Sequence, residues 1–183
     1  MEAHERQLVV DQLNSSQECL QGLVHGLTAE QWAFHPAEGR WSINECLEHV
    51  MLVENRILGL IGKKLNESPP EPEKRGQSRA TDALVAQAIP DRSNRRQAPE
   101  PVRPTGQWTD PNELLAEFRK TRKRTTEFAA TTQGDLRNYF LPHMALGELD
   151  CYQWLLVLSL HGARHAQQVE EIKSAPGFPR ATT

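Results

Sequence analysis

The sequence LHGARHAQQ, at residues 160–168, lies in the most hydrophobic helical segment of the chain, which runs from Leu149 to about Lys173. His161 and His165 are four residues apart, a spacing that puts both imidazoles on one face of an α-helix, one turn from each other. Two such nitrogens can reach a single metal ion, and neutral imidazole is a common ligand of zinc, nickel and iron. Because the same face continues an apolar stripe, both rings are expected to face the interior of a helical bundle.

Three more long amphipathic segments precede this one. Apolar residues spaced three or four apart predict a helix over about 5–27. Ser42-Ile43-Asn44-Glu45 has the form of a capping box and predicts a helix over about 43–65. Asp110 as an N-cap, followed by a proline suited to the first helical position, predicts a third helix over about 111–132. Four long helices are therefore expected in total.

The helix over 111–132 is predicted to have one apolar and one basic side. Its inner side is expected to hold Leu114, Leu115, Phe118, Thr125 and Phe128. Its outer side is expected to hold Arg119, Lys120, Arg122, Lys123 and Arg124. Shorter helices are predicted after Thr28, which starts a second capping box, and over 81–89. No segment shows a convincing two-residue alternation, so no β-strand is expected.

The segment between the second and third long helices, about 66–110, has a different composition. Eight of the 12 prolines lie between Pro69 and Pro111, and prolines are excluded from regular helix interiors. We expect an irregular crossover that is a flexible linker, a lid over a site or a partner-binding arm. Its arginines are expected to be solvated charges; they are Arg75, Arg79, Arg92, Arg95, Arg96 and Arg103. The sequence thus predicts one all-α domain over 1–183, a four-helix bundle with a long Pro-rich crossover between its second and third long helices.

Composition excludes several classes of protein. The net charge of −3 gives no basic field for nucleic-acid binding, and no apolar run approaches the length of about 20 residues that spans a membrane. The first residues lack the features of a signal peptide, and the mean hydropathy is −0.62. Cys19, Cys46 and Cys151 are widely spaced in apolar surroundings and are interpreted as reduced core thiols. A cytoplasmic protein is expected.

A third histidine is a candidate partner for the pair at 161 and 165. His49 lies beside the apolar stripe of the second long helix, between Cys46 and Val53, and so faces inward or lies at the edge of that stripe. Bundle interiors build metal sites from facing helices in this way. Three neutral nitrogens leave one coordination position open, which is the arrangement of catalytic zinc. The alternative is that these are core histidines, each with one hydrogen-bond partner.

Three elements of the sequence resemble the DinB-like superfamily, also known as the DinB/YfiT-like metalloenzymes. They are WSINECLEHV at 41–50, PHMALGEL at 142–149 and the pattern His-x-x-x-His-x-x-Gln at 161–168. The resemblance implies a four-helix bundle, commonly a homodimer, that holds a divalent metal through His49, His161 and His165. Zn²⁺ is the expected ion, with Ni²⁺ or Fe²⁺ as alternatives. The sequence has Met144 after His143 where this family commonly has a proline, a departure in the connecting loop and not in the three histidines.

Other residues near these elements are weighed as participants in the site. His143 is either an acid–base residue at the rim or an exposed loop histidine, and Gln168 is a candidate contact to a ligand or a substrate. Trp41 is interpreted as a packing residue at the helix start in preference to a platform for substrate. Glu45 is expected to serve the capping box, with an orienting contact as the alternative. Consecutive residues of an α-helix point about 100° apart, so the Arg164 side chain is expected to point away from the face that carries the two histidines.

The resemblance also bears on activity, because characterised relatives include S-transferases that use bacillithiol and isomerases that use mycothiol. The first hypothesis is a metal-dependent enzyme that acts on a small molecule, transferring a low-molecular-weight thiol or hydrolysing its substrate. The second is a non-catalytic metal-binding bundle that acts in small-molecule sensing or protein interaction. No nucleic-acid or membrane partner is expected under either hypothesis.

Overall fold

The structure is a computed structural model and describes residues 1–93 and 97–180. Arg95 and Arg96, two of the arginines expected to be solvated, lie outside these residues. The helices are α1 (Ala3–Val24), α2 (Ala29–Ala33), α3 (Ile43–Glu67), α4 (Arg75–Arg79), α5 (Asp82–Ala88), α6 (Pro111–Thr131) and α7 (Cys151–Lys173). The strands are β1 (Phe140–His143) and β2 (Gly147–Asp150). Short 3₁₀ helices cover Pro72–Lys74, Glu100–Val102 and Leu136–Asn138.

The four long helices, α1, α3, α6 and α7, form the predicted all-α bundle. Helix α1 packs against α7 and α6, and α3 packs against the same two helices from the other side. The crossover from α3 to α6 carries α4, α5 and two of the 3₁₀ helices, so it is more regular than its prolines suggested. None of the helices described is long and apolar enough to cross a membrane.

Side-chain caps fix where the helices begin. Ser42 accepts a hydrogen bond from the Glu45 amide, and the Glu45 carboxylate accepts one from the Ser42 amide, as the sequence predicted. Asp110 caps α6 through the amide of Asn112, with proline at the first helical position. Helix α7 starts two residues later than predicted, because Asp150 and Gln153 form its capping box.

A β-hairpin before α7 contradicts the expectation that the chain has no strands. Strands β1 and β2 pair antiparallel, with Phe140 opposite Asp150 and His143 opposite Gly147. Gly147 has a φ of +75°, a conformation that favours glycine at the end of the turn. Each strand has four residues, which is too short for alternation to stand out in the sequence.

Two buried apolar clusters fill the bundle. The first joins the start of α3 to the end of α7 and includes Leu47, Val50 and Val169. The second surrounds the first half of α7, where Leu155 packs among residues such as Leu13. This core follows the predicted stripes, so the long helices bury the faces that their periodicity indicated.

Two predictions about side-chain environment were wrong. Arg122, expected on the outer side of α6, is fully buried and donates to Glu54 at 2.6 Å and to the Leu13 carbonyl oxygen at 2.6 Å. Cys19, expected in the core, is exposed, whereas Cys46 and Cys151 are buried. The reason for the first error is that α1 and α3 supply polar partners at the level of Arg122, and these satisfy the buried guanidinium.

Three of the described arginines of the crossover differ from the solvated charges that were expected, whereas Arg103 is exposed and bonds to the Ala98 carbonyl oxygen within the crossover. Arg75 pairs with Asp135 and Glu2, and Arg79 pairs with Glu2. Arg92 donates two hydrogen bonds of 2.6 Å to Glu171 on α7. These contacts of Arg75, Arg79 and Arg92 attach the crossover to the bundle.

Candidate metal centre

The structure brings His49, His161 and His165 together between α3 and α7. One nitrogen from each ring lies within 4.8 Å of the corresponding nitrogens of the other two rings. The centroid of the His49 ring lies 5.0 Å from that of His161 and 5.0 Å from that of His165. The i, i+4 spacing on α7 and the inward position on α3 therefore produce the cluster that the sequence predicted.

A backbone carbonyl sets the orientation of His49. Its Nδ1 lies 2.6 Å from the carbonyl oxygen of Val102, in the second half of the crossover. Because a carbonyl oxygen only accepts, Nδ1 carries the hydrogen, and Nε2 keeps its lone pair. A hydrogen bond of this kind on the outer nitrogen is the usual support for a metal-bound histidine.

The two histidines of α7 meet through their Nε2 atoms, which are 3.1 Å apart. Tetrahedral zinc with Zn–N bonds of about 2.05 Å would separate two nitrogens by about 3.3 Å, so the observed spacing is close to that of a shared ion. The Nδ1 atom of His165 is buried and has no hydrogen-bond partner. Three imidazole nitrogens that converge at this spacing fit a divalent metal ion.

The surroundings keep these rings neutral. Burial lowers the pKa of His49, although its hydrogen bond to Val102 acts in the opposite direction. Burial also holds the pKa of His161 and of His165 well below the usual value, and neighbouring histidine and arginine groups lower both further. A metal ligand must be unprotonated, so the site presents its ligands in the required state around neutral pH.

Trp41 forms one wall of the site. Its ring centroid lies 4.8 Å from that of His49 and 6.2 Å from that of His165, and it stacks on His165 at an interplanar angle of 21°. The same side chain packs on the first apolar cluster. Trp41 is therefore a packing residue, as predicted, and it also shields two of the three histidines from water.

A glycine behind His161 allows α7 to approach α1 and α6. A Cβ atom on Gly162 would lie 2.8 Å from Ser16 Oγ, which is closer than real Cβ atoms approach, and 3.0 Å from Arg122 Nη2, which is a tight contact. Arg122 is in turn held by Glu54, one turn beyond His49 on α3. This close packing places α7 against α1 and α6, and the pair of Arg122 with Glu54 connects that contact to α3.

Comparison with known proteins agrees with this geometry. The sequence model of the DinB superfamily matches residues 12–169. The chain belongs to the DinB superfamily. It is 28% identical over 150 residues to the uncharacterized protein YuaE of Bacillus subtilis (strain 168), a match that covers 82% of this chain and 88% of that protein. No solved structure matches the chain.

Other candidate residues of this DinB chain lie outside the histidine cluster. His143 is on β1, where its ring contacts Trp154 and its Nδ1 accepts from the amides of Ala145 and Leu146. Gln168 accepts a 3.2 Å hydrogen bond from Arg92. Among the described residues the cluster consists of His49, His161 and His165, so the roles of His143 and Gln168 at the site stay predictions.

Two further candidates are occupied by structural contacts. Glu45 binds Ser42 in the capping box and His35 at 2.8 Å. Arg164 donates to the carbonyl oxygens of Ile89 and Asp91 in the crossover. Glu45 therefore serves the start of α3, as predicted, and Arg164 attaches the crossover to α7.

Sequence reasoning missed the part of the crossover that contacts the metal centre. The Val102 carbonyl is a main-chain group and has no signature in the sequence. Glu48, which binds Thr105 and Gly106, was passed over although it directly precedes His49. An acidic residue on the buried side of a helix was a signal that could have been used, since such a residue needs partners.

The buried thiols are poor nucleophiles, because burial raises the pKa of Cys151 to about 12.

Proposed function

We propose that this DinB protein is a metal-dependent enzyme that holds one divalent ion through His49, His161 and His165. The observation that carries the proposal is the convergence of one nitrogen from each of three imidazoles within 4.8 Å of one another. Zn²⁺ fits this donor set best, and Ni²⁺ or Fe²⁺ suit imidazole as well. Three protein ligands leave a position for a substrate, which is the pattern of catalytic sites.

The proposed reaction is the transfer of a low-molecular-weight thiol to an electrophilic small molecule, with hydrolysis as the variant in which water replaces the thiol. A bound divalent ion would supply the Lewis acidity that turns a thiol or water into a nucleophile at neutral pH. Trp41 and the crossover cover His49 and His165, while His161 is more accessible to solvent. Substrate would therefore enter beside His161.

The proposal extends to the state in which the protein works. Resemblance to other DinB proteins supports a homodimer of single-domain chains acting on a small molecule in the cytoplasm. Among the alternatives, a non-catalytic metal-binding bundle for sensing or protein interaction would use the same three histidines. Only turnover separates these two functions, so the test must include it.

Metal analysis of protein purified without an affinity tag is the first measurement. We expect about one divalent ion per chain, and we expect His165→Ala to weaken zinc binding more than about 100-fold, since even outer partners of ligands are worth 10–100-fold. His143→Ala is the matched control, because it removes a histidine outside the cluster. Wild-type protein without metal, or a His165→Ala variant that binds zinc normally, would refute the proposal.

Turnover is measured with a thiol and an electrophilic probe such as a chloro-nitroaromatic compound. We expect metal-loaded wild-type protein to consume both, and chelated protein or His165→Ala to consume neither above background. If the metal binds and no thiol transfer or hydrolysis follows, the non-catalytic function is the correct one.

A further inference from the structure

The second half of the crossover, residues 98–108, lies along α3 at the metal centre. Its 3₁₀ helix, Glu100–Val102, presents the Val102 carbonyl to His49 and buries the Val102 side chain. Farther along, the carbonyl of Trp108 accepts a hydrogen bond from Asn44 on the first turn of α3. The segment is thus joined to α3 at the metal ligand His49 and again at the first turn of that helix.

Glu48 makes the densest of these attachments. Its carboxylate accepts from the Thr105 amide and hydroxyl, both at 2.8 Å, and from the Gly106 amide at 3.0 Å. Gly106 has a φ of +72°, which allows two successive amides to point at one carboxylate. Glu48 itself is 0% exposed, so these three donors replace the water that a buried carboxylate would lose.

The sequence positions of these residues connect the contacts of Glu48 to the metal ligand. Glu48 and His49 are consecutive on α3, and Val102 lies three residues before Thr105 on the crossover. Two adjacent residues of α3 therefore bind the segment 98–108 at two nearby positions. Holding Thr105 and Gly106 in place also holds the Val102 carbonyl at 2.6 Å from His49 Nδ1.

We infer that Glu48 is a positioning residue of the metal centre and that metal binding and closure of 98–108 on α3 are one coupled equilibrium. The inference rests on the proposed function, because it assumes that His49 binds a metal. Glu48 acts through the crossover: it fixes the carbonyl that orients His49 and selects its tautomer. By reciprocity, an ion bound to His49 stabilises the closed segment as much as the closed segment stabilises the bound ion.

The test compares Glu48→Gln with wild-type protein. Glutamine has nearly the same volume, but it loses the charge and one of the acceptor oxygens. We expect the dissociation constant for Zn²⁺, measured by competition with a chromophoric chelator, to rise about ten-fold. Thr105→Val, which removes only the hydroxyl donor, is expected to raise it less. Glu45→Gln is the control, since Gln also serves in a capping box and Glu45 contacts Ser42 and His35.

Hydrogen exchange of residues 98–108 supplies a measurement that a merely structural role would not change. In wild-type protein, Zn²⁺ is expected to slow exchange at the Thr105 and Gly106 amides; in Glu48→Gln, exchange is faster without metal and the effect of Zn²⁺ is smaller. Equal zinc affinity in both proteins, or exchange in 98–108 that does not respond to metal in wild-type protein, overturns the inference alone. A wild-type protein that binds no zinc overturns the proposed function and this inference together.

Discussion

Two buried polar clusters of this molecule differ in how completely their groups are satisfied. The first is the histidine cluster of the metal centre. The second, here called the arginine network, consists of Arg137 with Glu5, Asp82 and Asp150. Arg137 donates to Glu5 and Asp82 at 2.6 Å and to Asp150 at 3.0 Å, and its own side chain is 1% exposed. Every carboxylate of this network is therefore paired with the same guanidinium.

The difference between the clusters indicates which of them is made for a ligand. Asp150 also accepts from Ser78 and the Gln153 amide, so the arginine network leaves little bonding capacity unused. In the histidine cluster, by contrast, the Nε2 atoms of His161 and His165 contact each other at 3.1 Å, and His165 Nδ1 has no partner. A satisfied cluster supports the fold, whereas three imidazole nitrogens that converge within 4.8 Å of one another suit a cation.

Both clusters also hold the crossover, but at different points. The arginine network contacts α4 through Ser78, which donates to Asp150, and α5 through Asp82, which accepts from Arg137. These contacts lie near the start of the hairpin and of α7. The histidine cluster contacts the carbonyl oxygen of Val102, which lies in the second half of the crossover. If the two clusters have different purposes, damage to one should change stability and damage to the other should change metal binding.

The largest expected effect is from Arg137→Met. This substitution leaves the buried carboxylates of Glu5 and Asp150, and the half-buried one of Asp82, without their cation. Breaking a buried ion pair from one side typically costs about 3–5 kcal/mol. We expect the free energy of unfolding, from urea denaturation followed by circular dichroism, to fall by that amount. The zinc affinity of the protein that remains folded should be unchanged.

Arg119→Met is the control for the arginine network. Arg119 is exposed on α6 and makes one 3.2 Å hydrogen bond to Gln21. Its replacement should change the free energy of unfolding by less than about 0.5 kcal/mol. A loss of zinc affinity in folded Arg137→Met would contradict the separation between the two clusters.

The sequence predicted the features that depend on neighbours along the chain. The capping box of Ser42 and Glu45 involves residues three apart, and it placed the start of α3 correctly. The pair His161 and His165 follows from helical geometry alone. The third histidine needed only the apolar stripe of α3. Local spacing was therefore enough for the bundle and for the three rings of the candidate site.

Features that depend on distant partners could not be predicted in this way. Arg122 lies among other cations of α6, and its burial depends on pairing with the carboxylate of Glu54, which is 68 residues away. The Val102 carbonyl lies 53 residues from His49 and belongs to the main chain. The hairpin is defined by pairing between strands of four residues, which is too little pattern to detect. In each case the deciding contact is long-range.

A smaller effect on the free energy of unfolding is expected from Gly162→Ala, which tests whether the packing of α7 against α1 also affects the metal centre. The new methyl group would meet Ser16 Oγ at 2.8 Å, so either Ser16 must turn away from its bond to Arg122 or α7 must move away from α1. Overpacking of this kind costs about 1–3 kcal/mol of the free energy of unfolding. Because α7 carries two of the three histidines, we also expect weaker zinc binding, measured by chelator competition.

Gly59→Ala is the matched control for a glycine in a long helix. A Cβ atom there has nothing within 4 Å, so the substitution should raise the free energy of unfolding by about 0.5–1 kcal/mol through helix propensity. Zinc affinity should be unaffected. If Gly162→Ala behaved like Gly59→Ala, the close approach of α7 to α1 would not be what sets the histidine positions.

The smallest expected effect is the pH dependence of the chelated protein, and it concerns the histidine cluster alone. Burial lowers the pKa of His49, His161 and His165 in the folded state, so the unfolded chain binds more protons once the pH approaches its ordinary histidine pKa of 6.5. The free energy of unfolding must then decrease as the pH falls below about 7.5. Half-protonation of each unfolded histidine at pH 6.5 corresponds to about 0.4 kcal/mol, or about 1 kcal/mol for the three rings.

Urea denaturation at pH 7.5 and 6.5, with chelator present, measures this loss. His165→Gln should reduce it by about a third, whereas His25→Gln, which replaces an exposed histidine at the end of α1, should leave it unchanged. Saturating Zn²⁺ should make the decline steeper at low pH, because protons then compete with the metal for the same nitrogens. Stability that does not change between these pH values would mean that the rings are not held neutral, and the contrast with the arginine network would lose its electrostatic basis.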